Sequence, residues 1–592
     1  MKFERKVSLL ILGGAAAFFV VFIKLFFLQV ISAQYYQAAA DAQHFYFLEI
    51  PARRGEIRFR EGFPLVSNKK DYLFYVNLSK FAKDKSLTAQ KLGEILVQDV
   101  PKVGTMGAIV DQKEQELFLK NARESLTKKM EEKLGLTQAV WVNLAHFVKP
   151  ETKEKIEELN ISGLEFLEEP NRDYPEGSMA AHLLGFVGFD LVGNPKGYFG
   201  LEGNYNPELA GRFGQVRQQK DALGRPIAIG SETKKEKQDG RDLITTIDRS
   251  VQKFTQKALD EGITTWKAVG GTAIVMDPKN GDILALANFP RYDPANFSYY
   301  SNSWYKNPAI ANLYEPGSIM KPLVVAAAIN ENKITFQTKC DKCDGPRQVA
   351  DATIRTFNNQ YNPGLTIPEI LINSDNTGMV FIGEKLGFSK LYSYFQQYGF
   401  GKKSGIDLQE EEEGSLRKIG DYRIVDQATL TFGQGIAVNA MQMMKAWTAL
   451  ANEGMVVTPR LVTKVVFEDK EIELKNESAK GVLSPQTAKM VTEMLIRVAR
   501  ESPVHFPLDR ERSLSDYKIA AKSGTAEIAI GGKYQKTGTI ASVIGYFPAD
   551  NPKFLVYVKL NEPEVRPWGS DTAGHVFAAI AKDLLYYYGI SP

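Results

Sequence analysis

The sequence predicts a multi-domain α/β chain headed by a transmembrane helix. Three observations carry this expectation. The length of 592 residues exceeds one ordinary domain and suggests about three to four units of roughly 150 residues, or fewer and larger ones. Residues Val7 to Leu28 are almost wholly apolar. Near Asp242 the chain changes style, from Lys/Glu-rich amphipathic stretches to β-type apolar runs followed by a helical pattern. A hydrophobic content of 44% with 24% charged residues suits a folded protein, and 48 Gly with 27 Pro indicate turns rather than disorder.

The front segment of 22 residues, at about 1.5 Å each, reaches roughly 33 Å, enough to cross a bilayer. Lys24 interrupts it near one end, where a long side chain reaches the headgroups. Lys2, Arg5 and Lys6 stand before it against Glu4 alone, so the positive-inside rule assigns residues 1–6 to the cytoplasm and the rest to the outside. A buried helix and a cleaved signal peptide are the rival readings, the latter because Ile31-Ser32-Ala33 loosely resembles a cleavage site. A signal's apolar core is usually about 7 to 15 residues, shorter than this one. Gly13 and Ala17, four apart, would give a small-residue face for a partner helix.

Residues 31–240 contain amphipathic stretches such as Leu117 to Leu134 and read as a support. From Asp242 to Asp248 the pattern is β-type, then helical through about Leu259. Gly271 to Pro278 and Ile283 to Leu286, two β-rich runs parted by a Pro/Asn/Gly turn, read as a hairpin. The balance of 73 basic against 70 acidic residues gives a formal charge of +3, too little for the basic field that nucleic-acid binding needs. The like-charged runs Lys234-Lys235-Glu236-Lys237 and Glu410 to Glu413 read as solvated loops.

Three short strings carry the chemistry: Ser318-Ile319-Met320-Lys321, Ser374-Asp375-Asn376 and Lys522-Ser523-Gly524-Thr525. Pro316-Gly317 breaks the chain ahead of Ser318, and Ile319 to Ile329 is apolar and Ala-rich, the pattern of a buried helix. A serine at such a start meets free backbone N–H groups that favour a developing oxyanion. Lys321 follows on the same face one turn later. A serine hydroxyl is a poor nucleophile until its proton is removed, and a desolvated lysine has a pKa low enough to remove it. The histidines are His44, His146, His182, His505 and His575, and no Gly-x-Ser-x-Gly elbow is present, so a Ser-His-Asp hydrolase has little to work with. Ser374 and Asn376 follow a helical stretch around Ile367 to Leu371, in a polar loop-like segment. Lys522 to Thr525 continues a β-type run, and Gly524 permits close approach of a ligand to the backbone. Each string alone has a bland reading, a helix surface or a simple turn.

Together, and with Glu315-Pro316-Gly317 and Pro322 flanking the first, the strings resemble those of class B penicillin-binding proteins. The resemblance implies a C-terminal serine transpeptidase (penicillin-binding, β-lactamase-like) fold over 241–592, with a central antiparallel sheet flanked by helices. It also implies an elongated α+β pedestal of the dimerisation type over 31–240, behind an anchor at 7–28. Pedestal landmarks resemble Pro51 to Ile57, Asn171-Arg172-Asp173-Tyr174-Pro175 and Gly200-Leu201-Glu202; Phe59-Arg60-Glu61-Gly62 departs from the usual Asp-Arg-Asn-Gly. By the same resemblance, Ser318 is the nucleophile, Lys321 its base, Ser374 a proton relay and Asn376 a ligand of the substrate backbone. Lys522, Ser523 and Thr525 would hold the donor's terminal carboxylate beside Gly524, and the N–H groups of Ser318 and Thr525 would form the oxyanion hole. Gly545-Tyr546-Phe547-Pro548, Gly433-Gln434-Gly435-Ile436 and Ala451-Asn452-Glu453-Gly454 are further landmarks. Asn439 stands where a threonine is usual, and Gly433-Gln434-Gly435 favours a division-type enzyme over an elongation-type one.

The expected activity is D,D-transpeptidation of peptidoglycan stem peptides at the outer face of a bacterial membrane, with β-lactams as trapping ligands and no metal or organic cofactor. A polytopic glycosyltransferase and division proteins are the partners implied. D,D-carboxypeptidase and β-lactamase share the acylation apparatus, and a β-lactam sensor or a silent scaffold is the alternative from another class. The only cysteines, Cys340 and Cys343, have C-x-x-C spacing. A local disulfide suits an oxidising compartment; zinc would need two further ligands; free or redox-active thiols remain. The family pattern does not explain this pair.

Overall fold

The structure is a computed structural model and describes residues 2–101, 112–137, 139–219, 232–468, 470–502, 507, 514–530 and 533–592. His505 lies outside the described residues. The chain divides into two compact units, Met1–Arg54 with Ala210–Gly240, and Gly55–Leu209 with Arg241–Pro592. In the first, a helix Lys2–Phe26 continues through a π-type turn Phe27–Ile31, and Val7–Ile31 is long and apolar enough to cross a membrane. Strands Phe45–Ile50, Gly214–Gln219 and Glu232–Lys235 form an antiparallel sheet in the same unit.

The second unit begins with a sheet around the long strand Pro64–Asn77, which pairs with Trp141–Val148 and Leu164–Asp173. The amphipathic stretch expected near Leu117 to Leu134 is the helix Gln112–Leu134, whose Met130 and Leu134 pack with Leu92 and Leu96 of the helix Lys85–Leu96. That sheet continues through Ile57–Arg58 into Asp242–Thr245 and Val462–Phe467, sequence regions far apart. Asn171 and Arg172, quoted above as landmarks, are tied inward. Asn171 donates to Asp71 at 2.6 Å, and Arg172 donates to the fully buried Glu202 at 2.7 Å.

The β-type run at 242–248 ends early, at Thr245, because Asp248 turns into an N-cap whose carboxylate accepts the Ser250 and Val251 N–H groups, starting helix α1 (Arg249–Trp266). The expected hairpin forms as β1 (Gly270–Met276) and β2 (Ile283–Phe289), closed by Gly281 at φ +80°. Helices α2 (Lys321–Asn330), α3 (Ile367–Ile372), α4 (Asn376–Leu386), α5 (Ala440–Ala451) and α6 (Pro485–Glu501) follow. Strands β3 (Ala520–Ile530), β4 (Lys533–Phe547) and β5 (Phe554–Asn561) and helix α7 (Ala573–Tyr587) complete the fold. The five strands form an antiparallel sheet in the order β2-β1-β5-β4-β3, with α1 and α7 on one face and α2, α5 and α6 toward the other.

Three expectations are corrected. Lys234 and Lys235, within a run read as a solvated loop, are exposed but belong to the strand Glu232–Lys235, because pairing with Gly214–Gln219 satisfies their backbone while the charges stay in water. Glu411, within a run read as a solvated loop, is buried and accepts the Ser404 N–H at 2.7 Å and the Asn439 amide at 3.4 Å; the fold uses its carboxylate to satisfy buried donors. The Ser318 segment is not the first turn of an α-helix but a 3₁₀ turn, Gly317–Met320, with α2 proper starting at Lys321. Residues i and i+3 eclipse in a 3₁₀ turn, so Ser318 and Lys321 still share a side. Asn439 caps α5, accepting the Gln442 N–H at 2.8 Å.

Candidate active site

Helix α2 is buried on every side from Lys321 to Ile329. It is seated by Trp447 of α5, whose indole N–H donates to the Ile319 carbonyl at 3.1 Å. The segment ahead of it is fastened to residues 433–438. Tyr314 and Val438 exchange backbone hydrogen bonds at 2.9 Å, Gly317 N–H donates to Gly433 O at 3.0 Å, and Glu315 accepts the Gly435 N–H at 2.8 Å. Gly433 is at φ +81°, and a Cβ on it would stand 2.2 Å from the Gly317 carbonyl oxygen, so only glycine fits there.

Ser374 lies between Asn373, the C-cap of α3, and Asp375, the N-cap of α4. Its φ of +51° is unusual for a non-glycine residue. The following Asp375 is the N-cap of α4, accepting from the Gly378 N–H at 2.9 Å and the Thr377 hydroxyl at 2.7 Å. The aspartate of Ser-Asp-Asn is thus the peg that holds its neighbours. On the other side, Lys522 to Thr525 lie on the edge strand β3. A Cβ on Gly524 would meet Pro316 O at 3.1 Å and Ser542 Oγ at 2.8 Å, so the Gly317–Met320 turn lies directly over this glycine.

These segments border an open cleft lined by Ser318, Ser374, Asn376, Lys522, Ser523 and Thr525, with Gly524 between the last two on β3. Lys321 Nζ is 2.6 Å from Ser374 O, 2.8 Å from Asn376 Oδ1 and 3.1 Å from Ser374 Oγ. Ser374 Oγ is in turn 3.0 Å from Ser318 Oγ. Lys321 therefore reaches Ser318 through the Ser374 hydroxyl. Asn376 Nδ2 donates to Arg355 O at 3.0 Å, leaving its second N–H for another acceptor. Burial holds the Lys321 ammonium well below the usual lysine range, and the charge of Lys522 lowers it further against the opposing pull of Asp375. Burial alone lowers Lys522 to about 7. Its ammonium donates to Ser523 O at 2.8 Å. The Thr525 hydroxyl accepts the Gly569 N–H at 3.0 Å, which orients its proton away from Gly569.

All three sequence strings contribute residues to this cleft, while Lys321 is buried behind its lining. Further lining groups lie outside the three strings, among them Phe357, Gln434, Trp568 and Ser570. Gln434 was inside a quoted string; the others belong to connections with no local pattern. The Phe357 and Trp568 rings meet edge-to-face at 5.5 Å from opposite sides. Cys340 and Cys343 are joined as a buried disulfide with an S–S distance of 2.03 Å. Cys340 exchanges backbone hydrogen bonds with Leu365 and Gly364, just ahead of α3.

The profile of the penicillin binding protein transpeptidase domain matches residues 271–585, more than half of the chain. The chain belongs to the penicillin-binding protein transpeptidase family. The penicillin-binding protein dimerisation domain matches residues 49–245, the combination of class B penicillin-binding proteins, so this penicillin-binding protein is a serine-type peptidoglycan D,D-transpeptidase. It is 29% identical over 594 residues to stage V sporulation protein D of Bacillus subtilis (strain 168), covering 100% of this chain and 86% of that protein. To the peptidoglycan D,D-transpeptidase FtsI of Buchnera aphidicola subsp. Baizongia pistaciae it is 30% identical over 464 residues, 76% of each. The crystal structure of penicillin binding protein 2X from Streptococcus thermophilus superposes with a TM-score of 0.70 at 23% identity, over 92% of this chain and 80% of that one.

Proposed function

We propose that this transpeptidase works through a Ser318 acyl-enzyme, with Lys321 as the base and the Ser374 hydroxyl as the relay between them. The observation that carries the reading is the file Lys321 Nζ, Ser374 Oγ, Ser318 Oγ, with spacings of 3.1 and 3.0 Å. A neutral amine has two N–H donors and one lone pair. Two N–H donors serve Ser374 O and Asn376 Oδ1, and loss of the third proton, which otherwise points at Ser374 Oγ, turns a lone pair toward the Ser374 hydroxyl. Burial favours that neutral form.

Ser318 Oγ attacks the carbonyl between the two terminal D-alanines, and its proton moves through Ser374 to Lys321. The Ser318 and Thr525 N–H groups stabilise the oxyanion. The C–N bond breaks, and the same proton returns through Ser374 to the leaving D-alanine amine. An amine from a neighbouring stem then attacks the ester, gives its proton along the file and releases Ser318. Lys522, Ser523 and Thr525 hold the donor's terminal carboxylate against Gly524, and the free N–H of Asn376 binds its backbone. Ser318 becomes the acyl carrier for β-lactams by the same steps.

The apolar helix at the N-terminus, with Lys2, Arg5 and Lys6 before it, supports a single-pass protein whose cleft faces the wall. The Gly433-Gln434-Gly435 string supports a role in septal rather than lateral synthesis, beside a polytopic glycosyltransferase and division proteins. Labelling with a fluorescent penicillin tests the nucleophile: the wild type is labelled and Ser318→Ala is not. A folded wild type that stays unlabelled overturns the proposal. Incubation with a donor stem peptide and an amine acceptor tests the transfer, and D-alanine release without cross-linked product would make it a carboxypeptidase instead.

A further inference from the structure

A third buried lysine, Lys559, stands outside the file just described. It sits on β5, the central strand of the five-stranded sheet, and is 2% exposed. Its neighbours across the sheet are Thr272 on β1 and Ser542 on β4, and Ser542 pairs with Gly524 on β3. Lys559 therefore lies in one register row with the glycine beneath the nucleophile turn. Among the described residues no carboxylate pairs with it. Its ammonium instead lies 4.8 Å from the centroid of the Tyr314 ring, a cation–π contact strengthened by desolvation. Tyr314 is four residues ahead of Ser318, and its hydroxyl accepts from Tyr557 of the same strand at 2.6 Å.

The sheet thus holds the nucleophile segment at two points, the backbone of Gly524 and the ring of Tyr314. A methionine or leucine would fill the Lys559 position without the desolvation penalty of a buried charge. A residue that costs stability at the centre of a sheet and touches the segment carrying the reactive serine points to use rather than packing.

We propose that Lys559 is a positioning residue for acyl transfer, its side chain seating the Tyr314 ring and so fixing the Tyr314–Ser318 segment over Gly524. This rests on Ser318 being the nucleophile. Burial lowers the pKa of Lys559 to about 8, so the grip on the ring weakens as the pH rises above that value. The titratable groups facing it are Tyr314 and Tyr557, both held neutral by burial, and Lys522 on the same sheet face. Lys445 of α5 is committed elsewhere, donating to Ser404 O at 2.7 Å.

The test is the second-order rate of acylation by a fluorescent penicillin, measured from pH 6.5 to 10 for the full-length wild type and Lys559→Met. Taking the ratio of the two cancels the titration of Lys321 and Lys522, which both proteins share. The expected ratio is about one tenth at pH 7, the scale of a small misplacement of reacting groups, and it approaches one by pH 10. Tyr314→Leu, which removes the ring from the other side, should give the same deficit and the same closure, and it carries the test if Lys559→Met does not fold. A ratio near one at pH 7 overturns the proposal, and so does a deficit that stays constant with pH, the mark of lost packing. Labelling of wild type but not of Ser318→Ala, run alongside, keeps failure of this inference distinct from failure of the nucleophile assignment.

Discussion

The two faces of the five-stranded sheet share one backbone and differ in almost every side chain. Toward α1 and α7 the strands present Ala273, Val275, Ala541, Val543, Val556, Val558 and Leu560, packed on Leu259, Phe577, Ile580 and Leu584. Toward the cleft the alternate residues include Thr272, Lys559, Ser542 and Lys522, all buried. The first face is what burial of apolar area selects. The second keeps charged and polar groups out of water, where each costs free energy unless matched. The difference teaches that one face is given to apolar packing, while the other combines apolar packing, through residues such as Ile274, Leu286, Ile544 and Leu555, with the polar groups of the chemistry.

That division can be broken from either side. The largest expected effect is on the chemical side: Lys321→Met should lower the acylation rate by about a thousandfold or more, the scale of a lost general base, with no loss of melting temperature because a buried amine is replaced by an apolar chain of similar length. A fall in Tm matching the fall in rate would argue that Lys321 is structural. Next, Phe577→Ala on the opposite face should cost about 3–5 kcal/mol in urea unfolding, while the acylation rate per folded molecule stays at the wild-type value. A selective loss of acylation there would erase the distinction between the faces.

The smallest effect sharpens it. The pKa of Lys522 is about 7 and that of Lys559 about 8 in the folded protein, against 10.5 for an ordinary lysine. Between the folded and unfolded values the unfolded chain binds more protons, so these groups make stability rise with pH from about 7 toward 10. Buried tyrosines such as Tyr314, Tyr546 and Tyr557, whose pKa values are raised, reverse the slope above about 10. Urea unfolding across this range should show the rise, and Lys559→Met should flatten part of it. An unchanged slope in the variant would mean that Lys559 titrates normally.

Much of the candidate site was legible because its parts are contiguous. Ser318 and Lys321 are one turn apart, Ser374 and Asn376 flank one cap, and Lys522 to Thr525 form one strand segment, so local spacing carries their relation. Lys559 was not legible. In sequence it is a lysine within an apolar strand, and nothing nearby in the chain announces that the distant Tyr314 will lie on its ammonium. Phe357 and Trp568 are similar cases, each contributing one ring to a contact formed across the cleft. Glu411 misled in the other direction, since a run of four glutamates reads as solvated until the fold brings Ser404 and Asn439 to one of them.

By itself the sequence determined the apolar N-terminal helix, the β-rich runs that open the sheet, and the three strings with their chemistry. These are properties of residue type at short spacing, set by the periods of helix and strand. Tertiary structure alone decided that Lys321 reaches Ser318 through Ser374, that Asp375 is a helix cap, and that burial lowers the pKa of Lys321, Lys522 and Lys559. Desolvation and hydrogen-bond geometry depend on which distant segments close over a group, and no local spacing encodes that.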